Sequence, residues 1–211
     1  MASTQGAAAD VTDRLTRAAV LRRGAVAGGA LALGGVGATV LAAPAGAMTF
    51  PDVDLAYLRL LTATELLAID YQGQALSGGK LSGVASAIVT QALGDDKAHY
   101  TALVDLLGKG NVVAATSDDI DFAYPKGSFD SEASILRLAN TVEQMTLGAY
   151  TGALQNLQTP LIRLPVAQIA ANEAQHVAAL GTLAGKPVIG RAFGPALSID
   201  AVTSALDDYE S

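Results

Sequence analysis

Glu173 and His176 stand three residues apart in Asn172-Glu173-Ala174-Gln175-His176, inside a run (166–183) that otherwise reads as a buried helix. On a helix, positions i and i+3 share a face, with Cβ atoms ~5–6 Å apart. A carboxylate and an imidazole at that spacing can grip one metal ion. The chain has only two histidines. The other, His99, closes a near-copy of the same step, Asp96-Lys97-Ala98-His99. Two further carboxylates, Glu65 and Glu143, interrupt apolar helical stripes, where a lone charge is costly unless paired, protonated or bound to a metal. Together Glu65, Asp96, His99, Glu143, Glu173 and His176 make a ligand set for two metal ions. Two such ions ~3.5–4 Å apart need bridging oxygens and a terminal ligand each. Carboxylates bridge, and a neutral imidazole adds no charge. Four carboxylates also offset the four positive charges of two divalent ions, so the cluster can be buried. Oxygen and imidazole ligands suit Fe or Mn without choosing between them. Positions left open would bind O₂ or a peroxide.

Two residues lie two turns beyond the glutamates on the same stripes: Gln72 after Glu65, and Tyr150 after Glu143. Either can hydrogen-bond a ligand or an oxygen species. The competing reading of Tyr150 is a core tyrosine with its hydroxyl paired. Asp95 could compete with Asp96, but it points about 100° away around the helix.

Four long helices must position these groups. Apolar residues recur at helical spacing from Val53 to Leu76, with Leu58, Leu61, Ala68 and Ile69 sharing the stripe of Glu65. Pro51-Asp52 opens this helix, with proline expected in its first turn. Ser77-Gly78-Gly79-Lys80 is a short turn, so the next helix (81–107) should return antiparallel, its stripe reading Val89, Ala92, Leu93, Asp96, His99, Leu103. Gly108-Lys109-Gly110-Asn111 ends it. Residues 112–130 are turn-rich, with the acidic Asp118, Asp119 and Asp121 on a solvated loop. A connector this long needs a reason, and a crossover between the ends of a bundle supplies one. The third helix (131–157) is capped by Ser131 and carries Leu136, Ala139, Asn140, Glu143, Leu147, Tyr150 and Leu154 inward. Thr159-Pro160 opens the fourth, which runs to Leu183 before Gly185, and Ser198 can cap a last short helix through Leu206.

The two halves repeat. Leu58-Arg59-Leu60, Glu65 and Ala75-Leu76 match Leu136-Arg137-Leu138, Glu143 and Ala153-Leu154 at an offset of 78. Gln91, Asp96, His99, Ala102-Leu103 and Gly108-Lys109 match Gln168, Glu173, His176, Ala179-Leu180 and Gly185-Lys186 at an offset of 77. The chain therefore reads as two copies of one helical hairpin, each with a Glu on its first helix and a carboxylate-x-x-His on its second.

Composition agrees with an all-α chain: of 211 residues, 51% are hydrophobic and Cys and Trp are absent. Without Cys there is no disulfide framework and no thiolate metal site. The formal charge is −7 and no basic patch with interleaved aromatics occurs, which argues against nucleic-acid binding. Residues 1–47 differ in kind. Arg22-Arg23 precedes an uncharged, Gly- and Ala-rich run that ends at Ala45-Gly46-Ala47, a small-x-small cleavage pattern. The adjacent arginines before a weakly apolar stretch resemble a twin-arginine export signal. Its removal takes four arginines and two aspartates, leaving 9 Lys+Arg against 18 Asp+Glu, a charge of −9. The expected organisation is an export signal over 1–47, a four-helix bundle over 48–185 and a tail over 186–211. No stable membrane span is expected in the mature chain, and a homo-oligomer is compatible with it.

The duplicated carboxylate-x-x-His steps with Glu65 and Glu143 resemble the ferritin-like superfamily, over roughly 53–185. Within it the chain is similar to exported ferritin-like domain proteins that include the desiccation-related group. The resemblance implies a ferritin-like four-helix bundle with one long crossover. It implies a di-iron or di-manganese site of the bacterioferritin, rubrerythrin or manganese catalase kind, with Glu65 and Glu143 as ligands beside the pairs Asp96/His99 and Glu173/His176. The implied activity is an oxidoreductase acting on O₂, peroxide or ferrous iron in oxidative or desiccation stress. Asp96 departs from the pattern, because Glu is usual there and Asp is one methylene shorter. That departure favours the alternative, a non-catalytic structural or stress-protection module with a degenerate site.

Overall fold

The structure, a computed structural model, describes residues 48–210; the expected export signal lies outside the described residues. Five α-helices follow in order: α1 (Asp52–Ser77), α2 (Gly83–Lys109), α3 (Glu132–Asn156), α4 (Pro160–Leu183) and α5 (Ile199–Asp207). The described residues contain no strand, only one isolated bridge between Phe122 and Glu210. Helix ends follow local chemistry. The Ser131 hydroxyl accepts from the Ser134 amide at 3.1 Å, and that of Ser198 from the Ala201 amide at 3.2 Å. Pro51 is the N-cap of α1 rather than a residue of its first turn. At the end of α2 the left-handed conformation falls on Asn111 (φ 56°), not on either neighbouring glycine, whereas after α4 it falls on Gly185 (φ 76°). Asn tolerates that conformation because its short side chain can bond locally.

The helices form a square. α1 packs on α2 and α3, and α4 packs on α3 and α2, leaving α1–α4 and α2–α3 as diagonals. The α2–α4 seam is the loosest of the four. Side-chain registers fix the directions. Gln72 reaches Glu143 while Tyr150 reaches Glu65, so α1 and α3 are antiparallel. Asp96 lies beside His176 while His99 lies beside Glu173, so α2 and α4 are antiparallel too. With short turns inside each hairpin, α2 and α3 must run parallel, and the 110–131 connector has to travel the length of the bundle. Its anchors are specific. The Tyr100 hydroxyl donates to the Ala115 carbonyl at 2.8 Å, and Tyr124 donates to Asp70 at 2.7 Å while its ring packs on Tyr71, Phe129 and Tyr209.

Each hairpin also holds the turn of the other. Asp54, buried in the first turn of α1, accepts from the Gln158 and Thr159 amides at 2.8 and 2.9 Å. Glu132, in the first turn of α3, accepts from the Ser82 amide and hydroxyl at 3.0 and 3.1 Å. Asp54 and Glu132 are 78 apart, and Ser82 and Thr159, the N-caps of α2 and α4, are 77 apart. The sequence repeat is thus a structural pseudo-twofold.

The tail closes one side. α5 packs on α1 and α3 through buried Val202 and Leu206. Before it, the chain crosses α3 at Gly148 and Gly152, where the Leu197 amide donates to the Gly148 carbonyl at 2.9 Å. A Cβ on Gly152 would stand 1.9 Å from the Leu197 carbonyl oxygen, so this approach requires glycine. The apolar interior falls into two clusters. One holds Leu61, Leu103, Tyr150, Ile162 and Ile169; the other holds Tyr71, Val89, Leu136, Ala139 and Leu180. On α2, α3 and α4 the change from one cluster to the other comes at the carboxylates and histidines: Val89 then Asp96, His99 then Leu103; Ala139, Glu143, Ala149; Ile169, Glu173, His176, Leu180. Of the residues expected on the inner stripes, Ile69, Leu93, Leu147 and Leu154 are half-buried, flanking the core instead of filling it.

Candidate metal centre

All six sequence-selected residues meet where the two clusters divide. Glu65, Asp96 and Glu173 are fully buried, Glu143 is 1% exposed, and His176 and His99 are 6% and 9% exposed. They form two overlapping groups. Glu65, Asp96, His99 and Glu173 place one ligand atom each within 4.8 Å of one another, and so do Asp96, Glu143, Glu173 and His176. Asp96 and Glu173 belong to both groups and would be shared by two ions bound there, while each group keeps one glutamate and one histidine of its own. The two imidazole rings are 6.0 Å apart.

The histidines turn the same nitrogen inward. His99 Nδ1 lies 2.8 Å from Glu173 Oε1 and 3.7 Å from both Glu65 Oε2 and Asp96 Oδ1. His176 Nδ1 lies 3.3 Å from Asp96 Oδ1, 3.6 Å from Glu173 Oε2 and 3.7 Å from Glu143 Oε2. Glu173 therefore offers one oxygen to each side. The fit to metal rests on what these atoms lack. Glu65 Oε2, Asp96 Oδ1, His99 Nδ1, Glu143 Oε2, both oxygens of Glu173 and His176 Nδ1 are all buried without a hydrogen bond of acceptable geometry. A buried, unsatisfied charged group is strongly unfavourable, and native interiors rarely leave one. Seven such atoms converging on one place suit a cation, and their oxygen and nitrogen donors suit a hard or borderline one.

The outward oxygens are secured by the two residues two turns beyond the glutamates. The Tyr150 hydroxyl donates to Glu65 Oε1 at 2.5 Å. Gln72 Nε2 donates to Glu143 Oε1 at 2.7 Å and to Asp96 Oδ2 at 2.8 Å. Each hairpin thereby positions the glutamate of the other. The shorter Asp96 side chain still reaches both groups, but with only one free oxygen, because Gln72 holds the second.

Without metal the cluster keeps protons. Burial, then the Glu173 charge, raises the Glu65 pKa to about 8. Burial likewise raises Asp96 and carries Glu143 well above the usual range, with neighbouring carboxylates adding to it. Burial would lower His99, but the carboxylates of Glu173 and Glu65 outweigh it and raise it to about 10. His176 is raised in the same way by Asp96, Glu143 and Glu173 against the effect of burial. Burial would push Glu173 up, yet the two histidines beside it hold it down at about 2. Tyr150 is driven well above the phenol range by burial and by Glu65, so it stays a donor.

One contributor escaped the sequence reading. Asp95, expected to point away from the core, does leave the inner stripe, and there its Oδ2 meets His176 Nε2 at 3.3 Å. The signal available was its place one residue before a ligand on a helix that faces α4 in antiparallel register. Among the described residues no carboxylate stands at the outer nitrogen of His99 in the same way. The cluster's remaining exposure lies on the α2–α4 side. His99, His176 and Asp95 keep 11%, 7% and 29% of their side-chain surface exposed, while Tyr150 and Gln72 on the α1–α3 side are buried. No helix of the described residues is long and apolar enough to cross a membrane.

A search of curated protein sequences finds no match to this chain. A comparison with family models matches the ferritin-like domain over residues 53–186, the four long helices and the turn after them. With most of its length covered by that match, the chain belongs to the ferritin-like domain family.

Proposed function

We propose that the protein is an exported oxidoreductase with a dinuclear Fe or Mn centre, held by Glu65, Asp96, His99, Glu143, Glu173 and His176, and acting on O₂, peroxide or ferrous iron. The observation that carries this reading is the convergence, from four helices, of seven buried oxygen and nitrogen atoms that lack a well-formed hydrogen bond. Bound there, two such ions would supply one- and two-electron chemistry toward a small oxidant. The chain's own residues do the rest. Glu173 and Asp96 would be shared between the two ions, and Gln72 and Tyr150 fix the outward oxygens of the glutamates. Asp95 draws the proton of His176 to Nε2, which frees Nδ1 as a ligand atom. The apolar clusters above and below exclude water, and a small molecule would reach the centre past the partly exposed edges of His99, His176 and Asp95. Export through the twin-arginine route is part of the proposal and rests on Arg22-Arg23 and Ala45-Gly46-Ala47.

Metal analysis of the purified mature protein tests the centre. About two Fe or Mn per chain are expected, and they should be lost in the His99→Ala, His176→Ala double variant. Protein that stays metal-free after reconstitution, with a melting temperature unmoved by Fe or Mn, would sink the proposal. Peroxide-dependent O₂ release then separates a catalase from a ferroxidase. A second reading, a non-catalytic stress-protection module, is favoured by one feature: Asp96 has a single free oxygen where a bridge uses two.

A further inference from the structure

The pseudo-twofold is broken at two places that touch the centre. At the residue before the helix ligand, Asp95 in the first half corresponds to Asn172 in the second, at the offset of 77. Two turns after the glutamate, Gln72 corresponds to Tyr150. Because the hairpins interlock, both differences fall on the same side. The Glu143/His176 position receives the Asp95 carboxylate at His176 Nε2 and the neutral Gln72 amide at Glu143. The Glu65/His99 position receives the Tyr150 phenol at Glu65, and the residue equivalent to Asp95 is Asn172, whose Oδ1 is buried without a partner.

A carboxylate at the outer nitrogen of a histidine keeps the proton there, so the inner nitrogen presents its lone pair, and the added negative charge raises its basicity. Loss of such a partner typically costs ~10–100-fold in metal affinity. Among the described residues His99 has no equivalent carboxylate. Building on the dinuclear reading, we propose that the two metal positions are unequal: Glu143/His176 fills first and holds its ion more tightly, with Asp95 as its positioning residue, while Glu65/His99 is the exchangeable position.

Calorimetric titration of chelator-treated protein with Mn²⁺ under anaerobic conditions reads this directly. The wild type should bind in two steps separated by ~10-fold or more. Asp95→Ala should weaken the tighter step alone, bringing the two together, and Asp95→Glu should restore part of the separation. Asn172→Asp should tighten the weaker step instead, and supplies an independent check should Asp95→Ala misfold. His176→Ala should abolish the tight step and leave a weak one, whereas His99→Ala should leave the tight step in place. Two ions binding with one shared affinity in the wild type, or an Asp95→Ala variant that loses the weaker step, would overturn the inequality while leaving the dinuclear centre standing. A titration with no Mn²⁺ or Fe²⁺ bound at all would instead remove the centre itself.

Discussion

Gln72 and Tyr150 occupy equivalent places in the two hairpins, yet they satisfy different numbers of buried oxygens. Tyr150 donates once, to Glu65, whereas Gln72 donates to Glu143 and to Asp96. Leaving a buried acceptor without its donor costs ~1–3 kcal/mol. Gln72→Leu should therefore destabilise the metal-free protein about twice as much as Tyr150→Phe. Denaturant unfolding of both variants checks the ratio, and equal losses would mean that one of the two Gln72 bonds contributes nothing. The six ligand candidates were legible from residue type and spacing because each breaks an apolar stripe, and because the second half copies the first. Asp95 was not, since a residue 100° off the stripe looks solvated until the facing helix is in place. Its partner His176 is 81 residues away, a separation at which local pattern carries no signal.

Among the elements, the four long helices were readable from periodicity and caps, and the crossover from its length. The contacts that lock the elements together were not. Asp54 looks like an ordinary acid in a first helical turn, where it would favour the helix dipole. In the fold it is fully buried and holds two amides of the α3–α4 turn, over 100 residues away. Glu132 makes the matching clasp from a half-buried position onto the exposed Ser82. Asp54→Ala should cost ~1–3 kcal/mol, because a fully buried carboxylate and its two part-buried amide bonds are lost, while Glu132→Ala, whose partner Ser82 is exposed to water, should cost well under that. Thermal unfolding of the pair gives the comparison; an Asp54→Ala variant as stable as Glu132→Ala would refute the clasp. The strap before α5 makes a second case. The spacing Gly148-x-x-x-Gly152 on α3 was available as a sign of a close crossing, but nothing in the sequence named the segment that crosses. Gly152→Ala should displace Leu197 at a cost of ~1–3 kcal/mol, since its Cβ meets backbone at 1.9 Å. Gly73→Ala is the control: its Cβ meets nothing within 4 Å, and the better helix former should add up to ~1 kcal/mol. If both variants unfold at the same temperature, the strap is not packed on Gly152.

At the scale of the molecule, a polar cluster divides the hydrophobic core in two, and its protonation couples the whole bundle to pH. In the metal-free chain, Glu65 is raised from 4.5 to about 8 and His99 from 6.5 to about 10, and Asp96, Glu143 and His176 move the same way. A folded state with raised pKa values keeps protons that the unfolded chain has already released. Stability then falls with rising pH, for Glu65 between its unfolded and folded values and for His99 between its own. Glu173 alone is lowered, to about 2, so its contribution is lost only as pH falls below the unfolded value of 4.5. The windows do not compete: above about pH 5 the lowered Glu173 adds no further change, while the raised groups weaken the metal-free fold as pH rises, Glu65 up to about 8 and His99 from 6.5 to about 10. Metal binding reverses the demand, because ligands must give up their protons to a cation, and an ion that binds only the folded state adds to its stability. The melting temperature of chelator-treated protein should therefore drop between about pH 5.5 and pH 8.5, and the increment produced by excess Mn²⁺ should grow over the same interval as proton competition fades. A metal-free melting temperature that rises with pH would contradict the proton-holding cluster. An Mn²⁺ increment that shrinks toward high pH would show that these six side chains are not the groups the ion displaces protons from.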